Sequence, residues 1–352
     1  MSFIRKRKLS KNQSRQIQKN NEAVVDDDTL ATGVIVAHFG KQLDVQLTCL
    51  PATTNNPAIN IGDVWRCHAR TNLPMLTAGD KVKLSLDTVA KLGLIQYLHT
   101  RHTLITRPDR YHKLKPVAAN ADILAIVFAP LPKPATSLID RYLLIAKLSG
   151  LTPLLVLNKA DLLENYPEVI QIFEEYQELG QKYNFKLLQT SVSNLHNLER
   201  LQAHISGKLT IFAGQSGVGK SSLINQLLPH ANQATSPISA GSQLGQHTTT
   251  TSRLLAYNPQ DLSAGGIIDT PGIREYGVWH LTHDEILAGF DELHALAGHC
   301  QFRDCSHQKN VKGCAFWQAV ADGLVKAWRV KNFNELIQEA KSVKPLSANQ
   351  TK

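Results

Sequence analysis

An apolar run, LTIFA, passes into Gly214-Gln215-Ser216-Gly217-Val218-Gly219-Lys220-Ser221 and then into the helix-forming text KSSLINQLL. This is a complete G-x-x-x-x-G-K-[ST] pattern in the strand–loop–helix setting that the pattern requires. The glycines let successive backbone N–H groups turn inward around phosphate oxygens, and the start of the helix, with Ser222, adds the favourable end of its dipole. In such a loop Lys220 reaches the β- and γ-phosphates and the Ser221 hydroxyl ligates Mg2+. A nucleotide-phosphate site is expected here.

The surrounding text fits. Strand-like runs at 123–128, 153–158, 186–191, 209–214 and 265–270 alternate with helical text at 137–148, 167–179 and 195–204. That alternation specifies βαβ units and a mainly parallel sheet covered by helices. Residues 29–112 read instead as several short strands between Pro, Gly and Asn turns, which suggests a small β-barrel with an OB-fold as one candidate. Alternation alone does not separate that from an SH3-like barrel or a sandwich. Residues 1–28 read as a basic flexible arm and 282–352 as a small helical unit around a Cys/His cluster. The expected fold is therefore multi-domain: an N-terminal β-barrel, a central α/β phosphate-loop domain over 113–281, and an α-rich C-terminal unit.

Three further motifs bear on the ligand. GGIIDTPG puts Asp269 at the end of an apolar strand and Gly272 three residues later. An acid there can hold the Mg2+ shell, and the glycine amide can meet a γ-phosphate. Asn158-Lys159-Ala160-Asp161 follows another apolar strand. The Asp161 carboxylate can accept both N1–H and the N2 amino group of guanine, a donor pair that adenine lacks; Asn158 would fix the loop and Lys159 pack along it. A short strand ending in Thr190-Ser191-Val192 could bring backbone N–H groups of Ser191 and Val192 near guanine O6. Between the phosphate loop and Asp269 lies SAGSQLGQHTTTTSRL, and one threonine of Thr248–Thr250, with Thr249 and Thr250 the candidates, is suited to bind Mg2+. The base motif precedes the phosphate loop, the reverse of the usual order, as in a circular permutation of one sheet.

Charge and cysteine content narrow the class. The formal net charge is +9, divided as +3 over 1–28, +6 over 29–115, −5 over 116–298 and +5 over 299–352. Basic flanks around an acidic centre suit a polyanionic partner, nucleic acid or an anionic membrane surface. Hydrophobic content of 43% and charged content of 19% fit a globular chain. The basic start lacks an apolar segment behind it, so no secretory signal is expected. The five cysteines argue against a disulfide framework and for a reducing, cytoplasmic setting. Cys49 and Cys67 are expected to be buried thiols. Cys300, Cys305, His307 and Cys314 make a Cys3His set, the donors of a closed structural zinc site, with His294 and His299 as nearby alternatives. Arg303, Lys309, Lys312, Lys326, Arg329 and Lys331 offer charge for RNA phosphates, and Phe302, Phe316, Trp317 and Trp328 either stack bases or fill a core.

The permuted order, GQSGVGKSSLIN, GQHTTTT, DTPGIREYGVWHL and the later Cys/His cluster together resemble the RsgA family of ribosome small-subunit-dependent GTPases over residues 30 to 330. The resemblance implies an OB-fold domain, a permuted GTPase domain and a zinc domain. It implies hydrolysis of GTP with Mg2+, stimulated by the small ribosomal subunit and its rRNA, in late maturation of that subunit and in the factor's own release. A monomer without membrane association is expected. An alternative is an RNA-binding module that holds nucleotide without turnover. Two departures stand out. Ile273 follows Gly272 where Ras-like enzymes place a water-orienting Gln, which leaves His247 as the candidate catalytic group beside Lys220. The gap before Cys314 is one residue longer than the family pattern and reads Asn310-Val311-Lys312-Gly313.

Overall fold

The computed structural model describes residues 28–40, 42–51, 57, 59–108, 113–229, 252–270 and 277–342. The basic arm, apart from Asp28, and His247, Thr249, Thr250 and Gly272 lie outside the described residues.

Five strands, β1 (Ala31–Phe39), β2 (Gln42–Cys49), β3 (Val64–Ala69), β4 (Lys81–Asp87) and β5 (Leu92–Leu98), form the N-terminal unit. They close in the order β1-β2-β3-β5-β4 because β4 pairs back onto β1, and β3–β5 is a parallel pair. Closure excludes the open sandwich and gives the OB-like barrel. Alternating residues of these strands point inward, and Ile35, Val45, Leu47, Val82, Leu84 and Ile95 are essentially fully buried. Each such side chain contributes about 1.5–3 kcal/mol by leaving water. Cys67 is buried in this core, where burial pushes its thiol up to about 12. Cys49 differs from expectation: it ends β2 and is exposed.

A hairpin of β6 (Leu104–Pro108) and β7 (Leu114–Ala119) leads into the central sheet. There the chain runs β8 (Ile123–Phe128), α1 (Thr136–Ser149), β9 (Thr152–Leu157), α2 (Pro167–Tyr183), β10 (Lys186–Gln189), α3 (Leu198–Ile205), β11 (Leu209–Gly214), α4 (Lys220–Leu227), β12 (Arg253–Asn258) and β13 (Asp261–Asp269). The sheet order is β10-β9-β8-β11-β13-β12, parallel throughout except for β12, which runs antiparallel to β13. All six residues of β8 are buried, as a central parallel strand demands. Its even-numbered residues pack with α1 and α2, its odd-numbered ones with α3 and α4. Strand β12 was not separable in the text, since its RLLAYN abuts the Thr-rich loop; it forms by turning back into β13, which starts four residues before the GGIID run.

The C-terminal unit comprises α5 (His283–Ala288), α6 (Asp291–His294), α7 (Ala315–Ala321) and α8 (Ala327–Ser342). Helix α5 opens with a capping box: Thr282 accepts from the Glu285 N–H, and Glu285 accepts from the Thr282 N–H. Its core is not self-contained. Leu144 of α1 lies among Ile286, Phe290, Phe316, Val330 and Phe333. Helix α1 is therefore apolar on two faces, one toward the sheet and one toward the C-terminal helices.

A buried ionic cluster fixes that junction. Arg329 of α8 is 4% exposed; its Nη1 lies 2.6 Å from Asp140 Oδ1 of α1, and its Nε pairs with Glu292 of α6. Asp140 also accepts from Tyr176 Oη of α2 at 2.8 Å and from Asn332 Nδ2 at 2.7 Å. Burial alone would lower the Arg329 pKa, but the two carboxylates push it upward, so the guanidinium stays charged. Arg329 is thus a structural cation and not a surface one, and Lys326 pairs with Glu178 at 3.3 Å. Arg303, Lys309, Lys312 and Lys331 remain exposed. Arg329→Ala would leave two buried carboxylates facing each other, and it is expected to cost about 3–5 kcal/mol. A fall in the denaturation midpoint, followed by tryptophan fluorescence, is the expected result. An unchanged midpoint would show that the cluster carries no net stability.

Candidate nucleotide site and metal cluster

The carboxyl ends of β8, β9, β10, β11 and β13 share one edge of the sheet, the place where open α/β sheets present ligand-binding loops. The phosphate loop leaves β11 there. Gly214 has φ 137°, and a Cβ at this position would lie 2.0 Å from the Val127 carbonyl oxygen of β8. Gly219 has φ 91°, and a Cβ there would lie 2.4 Å from Asn158 Nδ2. Both positions accept only glycine, one for its neighbour strand and one for the base loop. Lys220 opens α4 and is buried, its ammonium donating to the carbonyls of Gly214 at 2.8 Å and Gln215 at 2.6 Å. Ser216, Gly217, Ser221 and Ser222 are exposed around it, and Val218 is buried beneath the loop.

The base-loop residues are bonded directly to the phosphate loop. Asn158 is 2% exposed; its Nδ2 donates to the Val218 carbonyl at 2.9 Å, and its Oδ1 accepts from Thr190 Oγ1 at 3.3 Å. The Lys159 ammonium donates to the carbonyls of Gly217 at 2.7 Å and Leu131 at 2.9 Å. Asp161 is exposed, and its Oδ1 accepts from Ser191 Oγ at 2.5 Å. The Ser191 N–H is already engaged, donating to the His196 carbonyl at 3.1 Å. The Ser191 hydroxyl is thus tied to Asp161, and the guanine O6 contact expected of its backbone would require its N–H to leave the His196 carbonyl. Val192 is half-buried and packs against the α3–α4 face of the sheet. Residues 158–161, 190–191 and 214–220 thus form one hydrogen-bonded unit. Sequence reasoning missed the Thr190 hydroxyl and the Leu131 carbonyl as struts; the latter carries no side-chain signal. Asp269 ends β13 on the same edge and is exposed.

The second cluster lies in the C-terminal unit. One ligand atom from each of Cys300, Cys305, His307 and Cys314 falls within 4.8 Å of the others. His294 and His299 are not part of the set. His307 Nδ1 lies 3.7 Å from Cys300 Sγ and 3.5 Å from Cys314 Sγ. Tetrahedral zinc, with Zn–S of about 2.3 Å and Zn–N of about 2.0–2.1 Å, puts sulfur and nitrogen about 3.6 Å apart. The donors fit such an ion. The support around His307 is dense: Trp317 Nε1 and Asn334 Nδ2 each donate to its carbonyl at 2.8 Å, and its ring stacks on Phe316 at 3.9 Å. The longer gap before Cys314 leaves the four donors together. Of the aromatic residues, Phe316 is core, Trp328 packs on Tyr176, and Phe302 is 52% exposed.

A cavity of about 500 Å3 lies between the barrel and the β12–β13 hairpin, lined in part by Thr48, Lys81, His102, Asp122 and Ser263. It shares no residue with the phosphate loop.

Barrel, permuted phosphate-loop sheet and Cys3His unit together define a circularly permuted P-loop GTPase. The model of the RsgA GTPase family matches residues 98–279, and the chain belongs to that family; it is a GTP hydrolase. It is 41% identical over 350 residues to the small ribosomal subunit biogenesis GTPase RsgA of Alcanivorax borkumensis, covering 94% of this chain and 95% of that one. The protein of the same description from Pseudomonas putida strain F1 is 43% identical over 307 residues, covering 87% and 84%. Among solved structures, YjeQ from Thermotoga maritima superposes with TM-score 0.62 at 25% identity, covering 90% of this chain and 100% of that one. YloQ, described as a circularly permuted GTPase, gives TM-score 0.62 at 26% identity, covering 90% and 96%. No helix among the described residues is long and apolar enough to cross a membrane.

Proposed function

We propose that the chain binds the small ribosomal subunit through its rRNA and couples GTP hydrolysis to late maturation of that subunit and to its own release. The observation that supports the nucleotide part most directly is the bonding of Asn158 and Lys159 to the carbonyls of Val218 and Gly217. It holds a base-reading loop and a phosphate cradle at fixed separation, as one guanine nucleotide spanning both would need.

In this reading the amides from Gly214 through Gly219 surround the phosphates and Lys220 neutralises the β- and γ-oxygens. Ser221, Thr250 and Asp269 would hold Mg2+, which would supply positive charge against the charge developing on the phosphates. Ser222, Thr249 and Gly272 complete the phosphate contacts, and Val192 borders the base. Asp161, held by the Ser191 hydroxyl, accepts the two guanine donors. His247 orients the attacking water. The Cys3His cluster would hold one structural Zn2+ with all four positions filled by protein, which leaves no open site for chemistry. The basic barrel and the exposed lysines of the C-terminal unit suit rRNA phosphates, so the partner is the subunit and not a membrane. The factor works as a cytoplasmic monomer. Relatives described as small ribosomal subunit biogenesis GTPases support this partner.

Asp161→Asn tests the base assignment. Exchanging the carboxylate for an amide removes two charge-assisted hydrogen bonds to guanine, and GTP affinity is expected to fall by about 10²-fold. Xanthosine triphosphate, whose base can pair with the new amide, should gain. Competition between GTP, XTP and ATP for the same variant reads this out; equal competition by ATP in the parent protein would remove the guanine reading.

A further inference from the structure

The barrel and the nucleotide-binding sheet meet edge to edge at one rung. Ala37 of β1 pairs with Arg253 of β12, and Arg253 pairs on its other side with Asp269 of β13. Three neighbouring strands therefore align the barrel, Arg253 and the acid end of β13.

The side chains mark the same place. Phe39, the last residue of β1, keeps 36% of its surface exposed. The guanidinium carbons of Arg66 and Arg253 lie over its ring, 5.1 Å and 5.4 Å from the centroid. The two arginines differ in what else they touch. Arg66 Nε is 2.5 Å from Asp44 Oδ1, and its Nη1 donates to Gln42 Oε1 at 3.0 Å. Arg253 is exposed, and among the described residues no carboxylate pairs with it. A guanidinium resting on a ring keeps planar N–H donors that match a phosphate bidentately. The segment that carries Phe39 and Arg66 has a net charge of +6 over 29–115, which favours an RNA backbone over an acidic peptide as a matter of extended charge.

We propose that Arg253 is a positioning residue that couples an RNA phosphate held at the barrel surface to the Asp269 end of β13, with Phe39 as the stacking platform that Arg253 shares with Arg66. The inference rests on the rRNA partner proposed above. A phosphate that draws on Arg253 acts on a residue whose backbone is bonded to the rung carrying Asp269, the acid assigned to the metal shell. By linkage, the nucleotide must then change RNA affinity by the same factor as RNA changes nucleotide affinity.

The test measures the affinity of the full chain for purified small ribosomal subunits with GDP and with a non-hydrolysable GTP analogue. For the parent protein the ratio of the two affinities is expected between about 5 and 150. Arg253→Ala should bring the ratio close to unity. Arg253→Lys should keep more of the absolute affinity but lose most of the ratio, because a lysine keeps the charge and gives up the planar stack. GDP affinity of each variant reports whether the nucleotide sheet has folded. Should Arg253→Ala fail that control, Phe39→Leu decides instead, since it keeps apolar bulk and removes the ring face. A ratio retained in the folded variant overturns the coupling and leaves the ribosomal reading standing. A parent protein that does not bind small subunits at all overturns both.

Discussion

Replacing Lys220 by alanine is expected to lower kcat for GTP by on the order of 10²–10³-fold, the usual effect of removing one preorganised donor from developing charge. The prediction follows from position. The ammonium is buried within the loop and is held by the carbonyls of Gly214 and Gln215, so it needs little rearrangement to meet phosphate oxygens. A water molecule in its place would supply a dipole but no net charge. Single-turnover hydrolysis, measured beside GDP affinity, separates the catalytic loss from weakened binding. A turnover within threefold of the parent would show that the charge on the transferring phosphoryl group is met elsewhere.

Loss of the Cys3His metal is expected to have the largest effect on stability. Structural zinc contributes an apparent 10–16 kcal/mol to the folding of small zinc-finger peptides near neutral pH. Here the cluster joins the segment before α7 to the loop that follows α6, and Phe316, stacked on His307, continues directly into the core of α8. Cys305→Ser, or a strong chelator on the parent chain, should unfold the C-terminal unit and expose the apolar face of α1 around Leu144. Metal analysis should find one zinc per chain in the parent and a deficit in the variant, with a large fall in the melting temperature. A variant that loses the metal yet melts with the parent would show that the helical core suffices without it.

Much of this molecule was legible in its sequence because its strongest signals are local. The phosphate loop declares itself in eight consecutive residues, and strands such as ILAIVF are apolar throughout because helices cover both of their faces. The four sulfur and nitrogen donors lie within 15 residues, so the cluster too could be read from spacing. What was hidden depends on distant parts of the chain. Arg329 looked like a surface cation in basic text, yet it is buried because Asp140, 189 positions earlier in the numbering, waits for it on α1. The engagement of the Ser191 N–H by His196 depends on a turn that Asn194 marks by accepting from the His196 N–H, but residue type alone does not say which backbone groups that turn will join. The pairing of β1 with β12, which joins barrel to sheet, involves a single register pair and leaves no periodic trace.

As proposed above, this GTPase is tuned to the small ribosomal subunit. Multiple-turnover GTP hydrolysis, measured for the full chain alone and with small subunits, large subunits or naked RNA, tests it most directly. Strong stimulation by small subunits, with little or none from large subunits and only partial stimulation from naked RNA, is the predicted result. Equal turnover under all four conditions would contradict the claim.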